Sequence, residues 1–190
     1  MLIEQIIVEL STDPFNPKLN FAAAVEYEKL NQTASAVSFY LRAAEYGVDT
    51  DQLIVYTSLL KMAHCFRDQN DRNHTVSNSI LQAIAYIPTR PEAYFLMSQF
   101  HEQFKNWQEA YTWAQMGLEY VSRDSVPLPA NVGYVGPYGF IYEKAISGYW
   151  LGRKNESIKL LKELMELKYM LPEYEASVKS NLERIGNVVL

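Results

Sequence analysis

Residues 17–47 read PKLNFAAAVEYEKLNQTASAVSFYLRAAEYG, and they carry the strongest indication of the fold. Asn16 before Pro17 has the order of an N-cap and a first helical residue, and Gly47 stands where a helix commonly ends. Small and aromatic residues recur at helical spacing on two facing sides: Ala23, Ala24 and Tyr27 before the turn, then Ala36, Tyr40 and Ala43 after it. Since small side chains let two helix backbones approach closely, the stretch predicts an antiparallel helical hairpin.

The same pattern of two amphipathic segments returns three more times along the chain. The clearest recurrence opens at Pro91-Glu92, where proline and an acidic residue suit the first turn of a helix. Its second segment carries Ala110, Ala114 and Gly117 at seam spacing. The predicted helical pairs are 17–47, 51–88, 91–121 and 138–169.

The two ends of the chain are predicted to be capping helices. Residues 1–11 are apolar, but Glu4 and Glu9 interrupt the run and no basic residue precedes it, so a short helix is favoured over a secretory signal. Residues 172–185 are amphipathic with many charged positions, as expected of a terminal cap. The whole chain, 1–190, is predicted to form a single domain.

Composition limits the partners and the compartment. The chain has 190 residues, 48% of them hydrophobic, which is enough for a core without cross-links. Its formal net charge of -5 disfavours nucleic acid and membrane as partners, because neither is attracted to an acidic protein. The single cysteine, Cys65, cannot form an internal disulfide, and this fits a cytoplasmic protein.

These four pairs resemble tetratricopeptide repeats over roughly residues 17–169. The resemblance implies an all-α fold: a right-handed α-α superhelix of about four helix-turn-helix pairs, with terminal capping helices. The starts at Pro17, Tyr56, Pro91 and Tyr138 are spaced more widely than the family repeat of about 34 residues. The fourth pair departs furthest from the family pattern.

The resemblance also implies where a partner would bind. In this family the first helices of successive pairs line a concave groove that holds a protein or peptide. The positions of this sequence that match the groove-facing positions of the family are the predicted partner-binding residues: Phe21, Val25, Leu60, His64, Arg67, Phe95, Gln99, Tyr142, Ile146 and Tyr149. In the alternative interpretation, these side chains pack against a neighbouring helix or the long connection.

That connection, residues 122–137, reads SRDSVPLPANVGYVGP and is long for a protein whose other turns are short. Its valines and leucine make it too apolar for a flexible linker. It is predicted to be ordered, either by packing on its own scaffold, which is favoured, or by docking on a partner.

No motif for chemistry accompanies the helical pattern. The glycines Gly133, Gly136 and Gly139 lack the spacing of a phosphate-binding loop, and Lys105 stands where a zinc-protease helix would need its second histidine. With three scattered histidines a metal site is not expected either. The chain is therefore predicted to be non-enzymatic and to use no cofactor and no metal.

A weaker, pattern-level resemblance covers segments 90–96, 106–110, 142–145 and 151–152. They are similar to helical repeat regions attached to some glycosyltransferases and to repeat proteins encoded by tailed phages. The leading hypothesis is a scaffold that binds a protein or peptide partner. The alternatives are a structural subunit that self-associates or builds into a virus particle, and an accessory module of a glycosyltransferase system.

Overall fold

A computed structural model of the protein describes residues 2–69, 72–121 and 126–186. These residues form ten helices, and no strand occurs among them. The helices are α1 (Ile3–Thr12), α2 (Pro17–Lys29), α3 (Thr33–Gly47), α4 (Gln52–Arg67), α5 (Asn73–Tyr86), α6 (Pro91–Gln103), α7 (Trp107–Leu118), α8 (Pro137–Trp150), α9 (Lys154–Met165) and α10 (Pro172–Gly186).

Helix starts follow the local chemistry of the sequence. The side-chain oxygen of Asn16 accepts hydrogen bonds from the backbone N–H groups of Lys18 and Leu19, at 3.0 and 3.1 Å. Asp51 caps α4 in the same way through the N–H of Ile54, at 3.2 Å. Helices α2, α6 and α8 each begin with a proline near the first position.

The fold-class prediction is confirmed: the described residues are all-helical, and successive helices pair as hairpins in the manner of an α-α superhelix. The predicted pair at 138–169 corresponds to α8 and α9, which begin one residue earlier and end at Met165. Residues 70, 71 and 122–125, parts of the predicted second pair and of the long connection, lie outside the described residues, as do residues 1 and 187–190.

The chain divides into two compact units. Unit 1 comprises Met1–Pro88 and Ser125–Val132, and unit 2 comprises Thr89–Asp124 and Gly133–Leu190. The long connection is thus shared between the two units. That residues 1–190 behave as a single domain stays a prediction.

Unit 1 contains α1 to α5, and each of these helices packs against the next. Its seam is built from side chains small enough for close contact: Ala23, Ala24, Ala36 and Ala43 are all without exposed surface. Helices α2 and α4 also touch each other directly, which brings the first helices of two successive hairpins side by side.

Unit 2 contains α6 to α10 and repeats this arrangement, with α6 beside α8. The hydroxyl of Ser98 on α6 donates a 2.8 Å hydrogen bond to the carbonyl oxygen of the buried Ala110 on α7. Helix α10 closes the core formed by α8 and α9, with Val178 and Ile185 packed against Leu161 and Leu164. None of the helices found in the described ranges combines the length and apolarity that crossing a membrane would require.

Candidate functional site

Helices α2 and α4 together form a surface, called here the α2–α4 face. A network of polar side chains joins the two helices at this face. The ammonium group of Lys61 on α4 is paired with the Glu28 carboxylate on α2. The hydroxyl of Tyr40 on α3 donates to the other oxygen of Glu28, at 2.6 Å. Burial and the Glu28 charge raise the pKa of Tyr40 above its ordinary value, so it stays a hydrogen-bond donor.

A pocket of about 270 Å³ opens on the α2–α4 face. Its wall combines one apolar and three charged side chains of the two helices with two residues of the long connection: Val25, Glu28, Lys29, Lys61, Ala130 and Asn131. The pocket therefore lies between the helical face and a segment of the connection, and both line it.

That segment, residues 126–132, is called the strap. It reads VPLPANV and contains no helix or strand. It belongs to unit 1, although Thr89–Asp124, which precede it in the sequence, belong to unit 2. The ring nitrogen Nε2 of His64 on α4 lies 3.0 Å from the carbonyl oxygen of Val132. Val132 is only 3% exposed, so the end of the strap is held by a hydrogen bond and by burial.

His64 has the tautomer that this contact needs. Its other nitrogen, Nδ1, lies 3.0 Å from the guanidinium of Arg67, which can only donate, so Nδ1 accepts and Nε2 carries the proton given to Val132. Burial is the main reason that the pKa of His64 is lowered, and the charges of Arg67 and Lys61 act in the same direction. A neutral imidazole is thereby favoured at this position.

The corresponding face of unit 2, formed by α6 and α8, is covered by α10. The ring of Tyr174 on α10 meets the rings of Tyr138 and Tyr142 edge to face, with centroids 5.3 and 5.2 Å apart. The amide of Gln99 reaches the Tyr174 hydroxyl at 3.4 Å, and the amide of Asn181 donates to the Tyr142 hydroxyl at 3.2 Å. This face is consequently occupied by the chain itself.

A buried carboxyl group lies on α8 in unit 2. Glu143 is 4% exposed, and its Oε2 atom has no hydrogen-bond partner among the described residues. Desolvation, reinforced by the nearby carboxylate of Glu102, raises the pKa of Glu143 to about 8. No group of three metal-ligating side chains occurs in the described part of the chain.

The predicted partner-binding residues of unit 1 fall into two sets. Val25 lines the pocket beside the strap, His64 binds the strap, and Arg67 contacts His64. Phe21 and Leu60 lie in the core, with Phe21 packed edge to face on Tyr40 and Leu60 fully buried. Their role in binding a partner stays a prediction.

The predicted residues of unit 2 lie mainly under other parts of the chain. Phe95 is fully buried and contacts the rings of Tyr134 and Phe140. Gln99 and Tyr142 contact α10, and Ile146 belongs to the core that α10 closes. Tyr149 is half-buried, and its ring meets that of Trp150.

Sequence reasoning did not select Lys61 or the strap residues Ala130, Asn131 and Val132 for the site. Lys61 is three positions before His64 on α4, which puts the two on the same helical face, so this spacing could have indicated it. For the strap residues, the only signal in the sequence was their apolar composition. Cys65, the single cysteine, is buried, and burial raises the pKa of its thiol to about 11.

In each unit, the first helices of successive hairpins lie side by side and form a common face. This arrangement defines a helical-repeat protein with a tetratricopeptide-like fold. Solved structures agree on the fold. The crystal structure of MamA has a TM-score of 0.65 at 12% identity over 86% of this chain and 85% of that chain. TTC0263, a thermophilic TPR protein in Thermus thermophilus, has a TM-score of 0.56 at 12% identity over 99% of this chain and 89% of that chain.

A chain of the APC/C hetero-tetramer Cut9-Hcn1 also matches, with a TM-score of 0.66 at 13% identity over 98% of this chain. That match covers 33% of the Cut9-Hcn1 chain, so this protein corresponds to about a third of it. No protein-family model matches the sequence, and no curated protein matches it. The similarity is therefore one of fold.

Proposed function

We propose that this protein is a non-enzymatic scaffold that binds an extended segment of a partner protein on the α2–α4 face. The observation that carries the proposal is that this face already holds a non-helical stretch of polypeptide, through the bond from His64 to the Val132 carbonyl. A backbone carbonyl is present in every peptide. The face thus has a donor for a peptide backbone and a pocket for a side chain.

The fold supports the same function. Stacked helical hairpins present continuous faces that suit extended partners. One solved chain with this fold belongs to the hetero-tetramer Cut9-Hcn1, and on this ground we expect a protein partner here. The cytoplasm, predicted from the cysteine content, is the compartment we propose.

A random peptide library displayed on particles and selected on the full-length protein tests the proposal. Selected peptides should lose binding when the face is altered by Val25→Glu or His64→Ala. The matched controls are Val48→Glu and His74→Ala, which change the same residue types at exposed positions away from this face. If both pairs of variants bind the selected peptides equally well, the α2–α4 face is not the binding surface.

The other two hypotheses are a structural subunit that self-associates and an accessory of a glycosyltransferase. Light scattering separates the first from a scaffold, because a defined oligomer across a range of concentrations is expected only of a structural subunit. The glycosyltransferase hypothesis requires that the protein binds a catalytic protein with a sugar-nucleotide domain. Purification of a stoichiometric complex of the two would support it.

A further inference from the structure

The strap has the chemistry of a peptide ligand. Its seven positions carry no charged side chain, Pro127 and Pro129 lack backbone N–H donors, and the backbone bends at Pro129 and Ala130. Of its residues, Val132 is the one that is buried, and the carbonyl of Val132 is the group that His64 binds. All of these features can be supplied by a peptide from another protein.

The charges of the α2–α4 face indicate what kind of peptide it accepts. The two lysines that line the pocket are already paired with carboxylates of α2: Lys61 with Glu28, and Lys29 with Glu26 at 2.7 Å. A carboxylate entering the pocket would have to compete with these partners. The pocket therefore favours an uncharged side chain, in agreement with the composition of the strap.

We propose that the strap is an intramolecular ligand of the α2–α4 face, and that an uncharged, proline-containing segment of a partner protein competes with it for this site. The inference rests on the function proposed above. A tethered segment acts at an effective concentration in the millimolar range, so it masks the face from weak partners. The apparent affinity for a partner equals the intrinsic affinity multiplied by the fraction of molecules in which the strap is displaced.

The first test compares two full-length proteins in binding a fluorescent synthetic peptide VPLPANV. One is the unchanged protein, and in the other the strap carries Pro127→Gly, Leu128→Ser and Pro129→Gly. We expect the altered protein to bind the peptide at least tenfold more tightly. Adding His64→Ala should abolish that gain, whereas His74→Ala, the control, should leave it intact. Equal affinity of both proteins for the peptide would overturn the inference.

A second measurement needs no variant. Hydrogen exchange of the unchanged protein, recorded without and with saturating VPLPANV, should show faster exchange of the strap amides and slower exchange in α2 and α4 when the peptide is present. Peptide binding with an unchanged exchange rate in the strap would contradict displacement.

The outcomes also separate this inference from the proposed function. If library peptides bind and depend on Val25, but VPLPANV binds neither protein, the strap is not a ligand mimic and the scaffold function stands. If neither library peptides nor VPLPANV bind, the function and the inference both fail.

Discussion

The backbone of Gly117 on α7 lies directly against the ring of Phe140 on α8. A Cβ atom at Gly117 would come within 2.2 Å of the ring atom Cε1, far closer than van der Waals contact permits. Phe140 is fully buried and packs on Phe95, so it has little freedom to move away. This glycine is therefore required by packing between two helices.

Gly117→Ala is expected to destabilise the protein by about 1–3 kcal/mol, since overpacking costs more than the gain in helix propensity. Gly148→Ala is the matched control: it is also a buried helical glycine of unit 2, but its Cβ would meet the hydroxyl oxygen of Ser157 at 3.2 Å. In chemical denaturation, the free energy of unfolding of the control should lie within about 1 kcal/mol of that of the parent. Equal losses for both variants would refute the packing argument.

Ala110→Glu tests the seam between α6 and α7. The side chain has no exposed surface, and the backbone carbonyl of the same residue accepts the Ser98 hydroxyl, so a carboxylate here would be buried without a cation. We expect a loss of several kcal/mol in the free energy of unfolding. Gln115→Glu, on the exposed side of α7, should melt like the parent. A parent-like melting temperature for Ala110→Glu would show that the pairing is wrong.

Glu143 should make stability depend on pH. Its pKa of about 8 in the folded protein lies above the ordinary value of 4.5, so the folded state holds the proton more tightly than the unfolded state. The resulting stability is fully present below about pH 4.5 and is lost as the pH rises to about 8.

The variant Glu143→Gln should remove this loss and be more stable than the parent at pH 8, by on the order of 1–4 kcal/mol. Glu45→Gln, at an exposed position of α3, is the control and should follow the pH profile of the parent. Denaturation curves at several pH values measure both. A parallel profile for Glu143→Gln and the parent would mean that Glu143 ionises freely.

His64 should make the protein less stable as the pH falls, whereas Glu143 makes it less stable as the pH rises. Because its pKa in the folded protein is lowered from 6.5, the unfolded state binds the proton more readily, and stability falls as the pH drops below 6.5. Protonation would also turn Nδ1 into a donor facing Arg67, with Lys61 adding to the repulsion and Glu28 opposing it. The hydrogen bond to the Val132 carbonyl acts in the other direction, because it favours the protonated ring.

His64→Gln keeps a side-chain donor but cannot gain a charge, so it should lose less stability between pH 7.5 and pH 5 than the parent does. Thermal melts at the two pH values make the comparison. Equal losses for the variant and the parent would show that protonation of His64 does not cause the loss of stability in acid.

Much of the fold could be predicted because its signals are local. Asn16 and Asp51 cap the helices that follow them, and prolines open α2, α6 and α8, all through interactions spanning a few residues. The seam alanines follow the period of a helix. The site was harder to predict, since positions such as Leu60 and Phe95 have groove spacing but lie in the core.

Helix capping and side-chain periodicity act within a hairpin, so the amino-acid pattern was enough to predict the hairpins, their starting points and the small residues that face each other. What covers the faces of those hairpins depends on the packing of the folded chain. The bond between His64 and Val132 joins residues 68 positions apart, and α10 reaches back to Gln99 over 75 positions. Contacts at such separations depend on how whole helices pack, and a periodic pattern carries no record of them.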